Sequence, residues 1–230
     1  MQSLTGYVHE KVATSPSTKP YCHTLPAISQ KLWPEFDRYL ASRVLSPAIA
    51  RRNLWYPSLD VDRLPRVVVP GTSQVAGNLY WQARLMEPLA PPYQATTETL
   101  RYESPHGVYR GDAIIVAWPE QPGPGLVAGY MGAIVEGPFD ALAAADVGYI
   151  GVALMGVTPP DSVVSHIATF LRGAKCLVIG DQDQLNSMAR VMHALTDLGL
   201  NCRLRSPYPY KDLAETPTRV ARTAALCWEN

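Results

Sequence analysis

From residue 130 onward the chain alternates in a fixed order. Short strand-like runs at 132–136, 150–155, 175–180 and 201–205 are followed by longer amphipathic segments at 138–146, 160–172, 184–199 and, after a loop, 217–228. The first three runs are apolar with no polar alternation, the pattern of strands buried on both faces. The segments between them recur at helical spacing. Strand–helix alternation of this kind predicts an α/β fold, a parallel sheet with helices on both faces. No apolar run reaches the ~18 residues a membrane span requires. With 230 residues, 47% of them hydrophobic, the chain can bury a substantial core.

The region before this alternation has a different grammar. Residues 1–30 are polar and irregular, with Ser-Pro-Ser-Thr-Lys-Pro at 15–20, and read as an extended arm. Residues 31–53 read as helix, with Leu32, Phe36, Tyr39 and Leu40 at helical spacing. Ser46-Pro47 then opens a second short helix, Ser as cap and Pro in the first turn. Over 64–117 the pattern predicts a small antiparallel sheet: Val67–Val69, a turn at Pro70-Gly71, Leu79–Leu85, and 112–117. The Pro- and Gly-rich stretch 118–126 marks the best boundary. The expected units are an arm (1–30), a small mixed α+β subdomain (31–125), a parallel domain (126–215) and a C-terminal helix (216–230).

Charge sets few limits. The net charge is zero, so the chain is no polycation made for nucleic acid. Residues 1–115 carry 12 Lys and Arg against 9 Asp and Glu, and residues 116–230 carry 8 against 11. Four cysteines (Cys22, Cys176, Cys202, Cys227) form no C-x-x-C pair, and no signal peptide is evident. Both features point to reduced thiols in a cytoplasmic protein.

The chemistry lies at the strand ends. In wound sheets ligands bind outside the carboxyl ends of the strands. Glu136 ends one apolar run, and Asp181 and Asp183 end another. If those strands are neighbours, the three carboxylates share one rim, with Asp140 starting the intervening helix. Carboxylates gathered so closely repel one another unless they take protons or a cation. A hard divalent ion such as Mg²⁺ suits carboxylates, waters and phosphate oxygens together. The matching chemistry is metal-assisted phosphoryl or nucleotidyl transfer.

These residues resemble a known family. Glu136-Gly137-x-x-Asp140, Asp181-x-Asp183 and Lys211-Asp212 are similar to the three signatures of the toprim domain, shared by DnaG-type primases, topoisomerases and some nucleases. The resemblance covers roughly 130–215. Gly156 and Thr158 stand where primases often carry a Gly-Thr or Gly-Ser pair. Upstream, residues 67–84 resemble the primase stretch in which two strands flank a Gly-containing turn and end in arginine, here Arg84. Residues 101–111 resemble the family's Lys-Tyr-x-Asn-Ser segment, with Arg101 as the basic residue. Two departures stand out: Asn186 replaces a usual glycine after the acidic pair, and the zinc ribbon and helicase portions of primases are absent from this sequence. The chain thus resembles the stripped catalytic core of a bacteriophage-like primase, which would work in the host cytoplasm.

The resemblance implies Glu136, Asp181 and Asp183 as catalytic residues and, with Asp140 and Asp212, as holders of Mg²⁺ or Mn²⁺. It implies Arg84, Arg101 and Lys211 as contacts to nucleotide or nucleic acid. Arg51 and Arg52, with Arg38 and Arg43, are further candidates on the helical region. Trp55, Tyr56, Tyr80 and Trp81 fit core packing better than base stacking. His106 and His166 carry no supporting constellation. The expected partners are single-stranded DNA, ribonucleoside triphosphates and a replicative helicase or other replication protein, with no membrane. The expected activity is synthesis of short RNA primers. The alternatives are a toprim-type metal-dependent nuclease and an inactive toprim-like scaffold that binds DNA.

Overall fold

The computed structural model describes residues 24–73, 79–120, 131–156 and 158–228. Cys22, most of the expected arm and most of the 118–126 boundary stretch lie outside the described residues.

Among the described residues, a single sheet of nine strands organises the molecule. The strands are β1 (Tyr56–Ser58), β2 (Arg66–Ser73), β3 (Leu79–Leu85), β4 (Tyr102–Glu103), β5 (Ala113–Ala117), β6 (Met131–Val135), β7 (Ile150–Ala153), β8 (Lys175–Ile179) and β9 (Asn201–Arg205). Their order is β4-β3-β2-β5-β7-β6-β8-β9, with β1 paired to β2 beside this path. Strands β1 to β5 pair antiparallel, and so do β5 and β7. From β7 through β6 and β8 to β9 every pairing is parallel. The expected α/β architecture and its antiparallel prelude are therefore present, joined edge to edge through β5.

Helices cover both faces. On one lie α1 (Trp33–Ser42), α2 (Pro47–Arg52), α3 (Pro138–Asp146) and α6 (Arg219–Ala225). Phe36, Leu40, Ile49, Phe139, Leu142 and Leu226 pack there against Val67, Val69, Ile115, Val135 and Ile179. On the other lie α4 (Asp161–Phe170) and α5 (Leu185–Asp197), which bury Val163, Ile167, Met188 and Leu195 against Ile134, Val152, Leu154 and Val178. Alternate residues of each central strand feed the two cores, as strand geometry requires. The Ser46 hydroxyl caps α2 by accepting from the Ile49 N–H at 3.3 Å.

One expectation needs correction. Strand β2 does not turn at Pro70-Gly71 but runs on to Ser73. Pro70 falls between the short ladders that β2 makes with β1 at 66–68 and with β5 at 72–73, a gap that tolerates a missing N–H. A Cβ on Gly71 would stand 2.7 Å from the Ile114 carbonyl oxygen, so close passage over β5, rather than a turn, is what the glycine serves. Residues 24–30, the described end of the expected arm, lie against β1. They are tied to β1 and its flank through Tyr56 Oη to the Pro26 carbonyl (2.8 Å), Ser58 Oγ to the Ala27 carbonyl (2.7 Å) and the Ser29 N–H to the Pro57 carbonyl (2.9 Å). Asn186, at the position where the resemblance has a glycine, lies in the first turn of α5.

Helix α3 sets up the site. Four of its nine residues are alanine, and it is almost wholly buried. A Cβ on Gly151 would sit 2.1 Å from the Ala141 carbonyl oxygen, so α3 rests directly on the backbone of β7. No other residue permits that approach. The contact fixes where α3 begins, and hence where Asp140 and Glu136 point.

Candidate functional site

Parallel pairing of β6 with β8, in register from Met131↔Lys175 to Ile134↔Val178, makes their carboxyl ends neighbours. Glu136 follows the last residue of β6, and Asp181 lies two residues beyond β8. Both line a cleft of about 290 Å³ together with Asp140, Asp212 and Glu215. Asp212 comes from the loop after β9. Its Oδ1 accepts from the Glu215 N–H at 2.7 Å. Asp140 Oδ1 accepts from the Ala214 N–H at 2.9 Å, which joins the start of α3 to that loop. One oxygen of Asp140 is thus committed to holding the wall together. Asp183 is exposed on the rim, with Gln184 Nε2 3.4 Å from its Oδ2, and does not line the cleft.

The carboxyls feel one another. Burial and then Asp181 push Glu136 up to about 7, with Asp183 and Asp212 adding, against an opposite pull from the Asp181 backbone N–H. Burial and then Asp212 raise Asp140 to about 8, with Asp181 and Glu136 adding. Burial, then Asp212 and Asp183, raise Asp181 to about 6, while Lys211 pulls it down. Glu136 Oε1 is buried and has no hydrogen-bond partner. A buried acceptor without a donor, among carboxyls that raise one another, is a site short of positive charge.

The facing wall is basic. Arg43, Arg84, Arg101, Arg110 and Lys211 line the same cleft. Arg84 projects from β3 on the same face as Tyr80 and Gln82, and is only 5% exposed. Its guanidinium lies 4.6 Å above the Phe139 ring and 5.1 Å above the Tyr102 ring, and it donates to Tyr102 Oη. Arg43, in the turn between α1 and α2, stacks on Phe139 at 5.5 Å. The Nε atoms of Arg43 and Arg84 are both buried without a partner. Among the described residues, none of these five cations makes an ion pair. Lys211, next to Asp212 in the chain, acts on Asp181 from a distance; otherwise the two charge walls share one cleft with no ion pair between them.

Other expected residues lie elsewhere. Arg51 pairs with Asp37 and stacks on Trp33 at 4.9 Å, and Arg52 donates to the Glu120 carbonyl at 2.7 Å. Neither lines the cleft; local partners on and beside the helices take up both side chains. Arg38 pairs with Glu35. Trp55, Tyr56 and Tyr80 are buried core residues. Gly156 lines the cleft beside Met155, whose φ of 56° is a left-handed conformation that costs a non-glycine residue about 1 kcal/mol or more. Thr158 lines a smaller adjoining cavity with Tyr109 and Arg110.

Sequence reasoning missed Gln82, Tyr102 and Arg110 at this site, and left Arg43 with the helical surface. Gln82 was accessible from the sequence: strand alternation puts it on the face of Arg84. Arg43 was not, because only the packing of the α1–α2 turn against Phe139 brings it in.

Among the described residues no three Asp, Glu, His or Cys side chains are gathered tightly enough to chelate a bare ion. The spread suits a hydrated ion, since Mg²⁺ keeps several waters between itself and protein. The donor set, all carboxylate oxygens with one buried and unsatisfied, fits a hard divalent cation.

No protein-family model matches the chain. No curated protein matches it in sequence. Solved structures do. The RNA polymerase domain of Mycobacterium tuberculosis primase DnaG superposes with a TM-score of 0.59 at 11% identity, over 86% of this chain and 78% of that one. A DnaG primase catalytic domain bound to single-stranded DNA gives 0.57 at 15% identity, over 86% and 72%. The Escherichia coli primase catalytic core gives 0.54 at 16% identity, over 86% and 74%. The fold is that of DnaG-type primase catalytic cores. Among the described residues no helix is long and apolar enough to cross a membrane.

Proposed function

We propose that the chain is the catalytic core of a DNA primase, joining ribonucleoside triphosphates on single-stranded DNA with a divalent metal. The observation that carries this reading is the cleft itself: five cations and five carboxylates line one cavity and no ion pair crosses it. A metal-bound triphosphate is a ligand of the complementary kind. Its cation suits the carboxylate wall and its phosphates suit the guanidinium wall. The fold shared with DnaG cores, one of them bound to single-stranded DNA, supports the same reading.

Glu136, Asp181 and Asp212 would hold Mg²⁺ or Mn²⁺, with Asp183 contributing from the rim. When bound, such an ion neutralises charge on the leaving pyrophosphate and makes the attacking hydroxyl more acidic. Arg43, Arg84 and Arg101 orient the phosphates; a planar fork of donors suits that task. Glu136 Oε1 is buried with no donor of its own, which suits it to the ion. The attacking 3′ hydroxyl oxygen would bond to the α-phosphorus as pyrophosphate departs, its proton passing to solvent.

The test is an incubation with single-stranded DNA, labelled ribonucleotides and Mg²⁺ or Mn²⁺. Metal-dependent oligoribonucleotides that vanish with Asp181→Ala establish the reading. Shortened DNA would replace it with a nuclease. DNA binding alone, indifferent to Asp181→Ala, would replace it with a scaffold.

A further inference from the structure

The cleft walls come from distant parts of the chain, and one buried side chain outside the cleft touches the backbone of both. Arg222, in α6, has no solvent exposure. Its Nη1 donates to the Val44 carbonyl at 2.6 Å and its Nη2 to the Arg43 carbonyl at 3.1 Å. On the other side, Nε donates to the Leu213 carbonyl at 3.2 Å and Nη2 to the Ala214 carbonyl at 3.3 Å. Asp146, at the end of α3, supplies the counter-charge at 3.6 Å. Arg43 belongs to the basic wall, and the 212–215 loop with Asp212 to the acidic one.

We propose that Arg222 is a positioning residue that sets the separation of the two walls. The inference rests on the proposed function only for the ligand that spans them. Four carbonyls lie within reach of one planar fork, and they belong to segments about 170 positions apart in sequence. A guanidinium can satisfy them at once; an ammonium with three donors on a single nitrogen cannot. The Ala214 whose carbonyl Arg222 holds also gives its N–H to Asp140. The chain of contacts therefore runs from α6 through the 212–215 loop to the start of α3. It also runs from α6 through the α1–α2 turn to the guanidinium stacked on Phe139. A ligand bridging both walls depends on their spacing, whereas a ligand of one wall does not.

Two measurements test this in the full chain. The first is site-resolved amide hydrogen exchange in Arg222→Lys and Arg222→Met. Exchange should rise at Arg43–Leu45 and at Ala214–Glu215 while β6 and β8 stay protected. Equal protection in variant and parent, or a uniform loss along the whole chain, overturns the proposal. This arm needs no activity and stands even if primer synthesis is never seen. The second compares ligands below the melting temperature of each variant. Affinity for Mg²⁺ with ATP together should fall about 10-fold. Affinity for Mg²⁺ alone and for tripolyphosphate alone should change less than about 3-fold. Parallel losses in all three ligands would reduce Arg222 to a stabilising residue and overturn the positioning role.

Discussion

The two walls of the cleft are built by different rules. The acidic wall hangs from the carboxyl ends of parallel strands: Glu136 after β6, Asp181 after β8, Asp212 after β9. These three side chains sit in loops that the sheet brings to one edge, and Asp140 joins them from the first turn of α3. The basic wall is assembled from a strand interior (Arg84), the residue before β4 (Arg101), a 3₁₀ turn before β5 (Arg110), a turn between helices (Arg43) and a loop (Lys211). Nothing periodic links those positions. A charge set placed by strand ends survives as a pattern along the chain, whereas one placed by packing does not. The walls also differ in what they lack. The acidic wall holds protons for want of a cation. Arginine cannot shed its proton, so the basic wall stays charged and stacks on rings instead.

The largest effect expected is on catalysis, from the acidic side. Asp181→Asn should lower primer synthesis by about 10²–10³-fold, the scale of losing one preorganised electrostatic contact. The same change should raise the melting temperature of the metal-free protein, because it removes a charge from a repelling cluster. A catalytic loss accompanied by a lower melting temperature would break the description of this wall as strained.

That strain gives a pH dependence of definite sign. In the folded chain Asp181, Glu136 and Asp140 hold protons up to about 6, 7 and 8, while the unfolded chain releases them near 4. Wherever the folded state binds more protons, stability falls as pH rises. The metal-free protein should therefore be most stable below the unfolded values and lose that stability through pH 5 to 8. Mg²⁺ should raise the melting temperature more at pH 8 than at pH 5, where protons already occupy the wall. Thermal melts at the two pH values, with and without Mg²⁺, check this. A metal effect larger at pH 5 would contradict it.

Next in size is the support beneath the acidic wall. Gly151→Ala forces a methyl group into the backbone of α3 and should cost about 3 kcal/mol, read by denaturant unfolding. A neutral result would mean that α3 can slide along the sheet, and Asp140 with it.

The legibility of the site follows the same division. Glu136 and Asp181 were readable because two apolar runs each end at an acid, and a parallel sheet puts such ends on one edge. Asp183 has the same spacing signal yet lies exposed on the rim, because the chain has left the strand by then and its neighbours decide its direction. Arg51 and Arg52 looked like a basic patch, but Asp37, Trp33 and the Glu120 carbonyl occupy them. The Pro70-Gly71 dipeptide carries a turn signal, and sheet packing overrode it. Arg222 gave no signal, since a lone arginine in a short C-terminal helix looks solvated until the segments around it are folded together.

On the basic side a smaller effect of another kind is expected. Arg84→Gln should weaken nucleotide or single-stranded DNA binding by about 10-fold, the value of one charge-assisted contact. It should leave Mg²⁺ affinity within about 2-fold. Arg84 is an almost fully buried cation without an ion pair, so Arg84→Met should leave stability unchanged or improve it. A strongly destabilised Arg84→Met would show that stacking on Phe139 and Tyr102 already satisfies the guanidinium, and the basic wall would no longer count as poised for an anion.

The smallest effect sharpens the boundary of that wall. Arg51 is exposed, pairs with an equally exposed Asp37 and lies on Trp33. Exposed pairs of this type contribute about 0–1 kcal/mol, and an exposed cation–π contact adds about as much. Arg51→Gln should therefore shift stability by about 1 kcal/mol or less. Its effect on DNA affinity should stay below about 2-fold at a salt concentration where Arg84→Gln loses about 10-fold. The contrast is informative because both residues are arginines stacked on aromatic rings. They differ in what else is within reach: Arg51 has a carboxylate, and Arg84 has an open cleft. If the two variants lost DNA affinity equally, the cation surface would extend from the cleft over α2. Selectivity would then come from net positive charge rather than from the opposition of two unpaired walls.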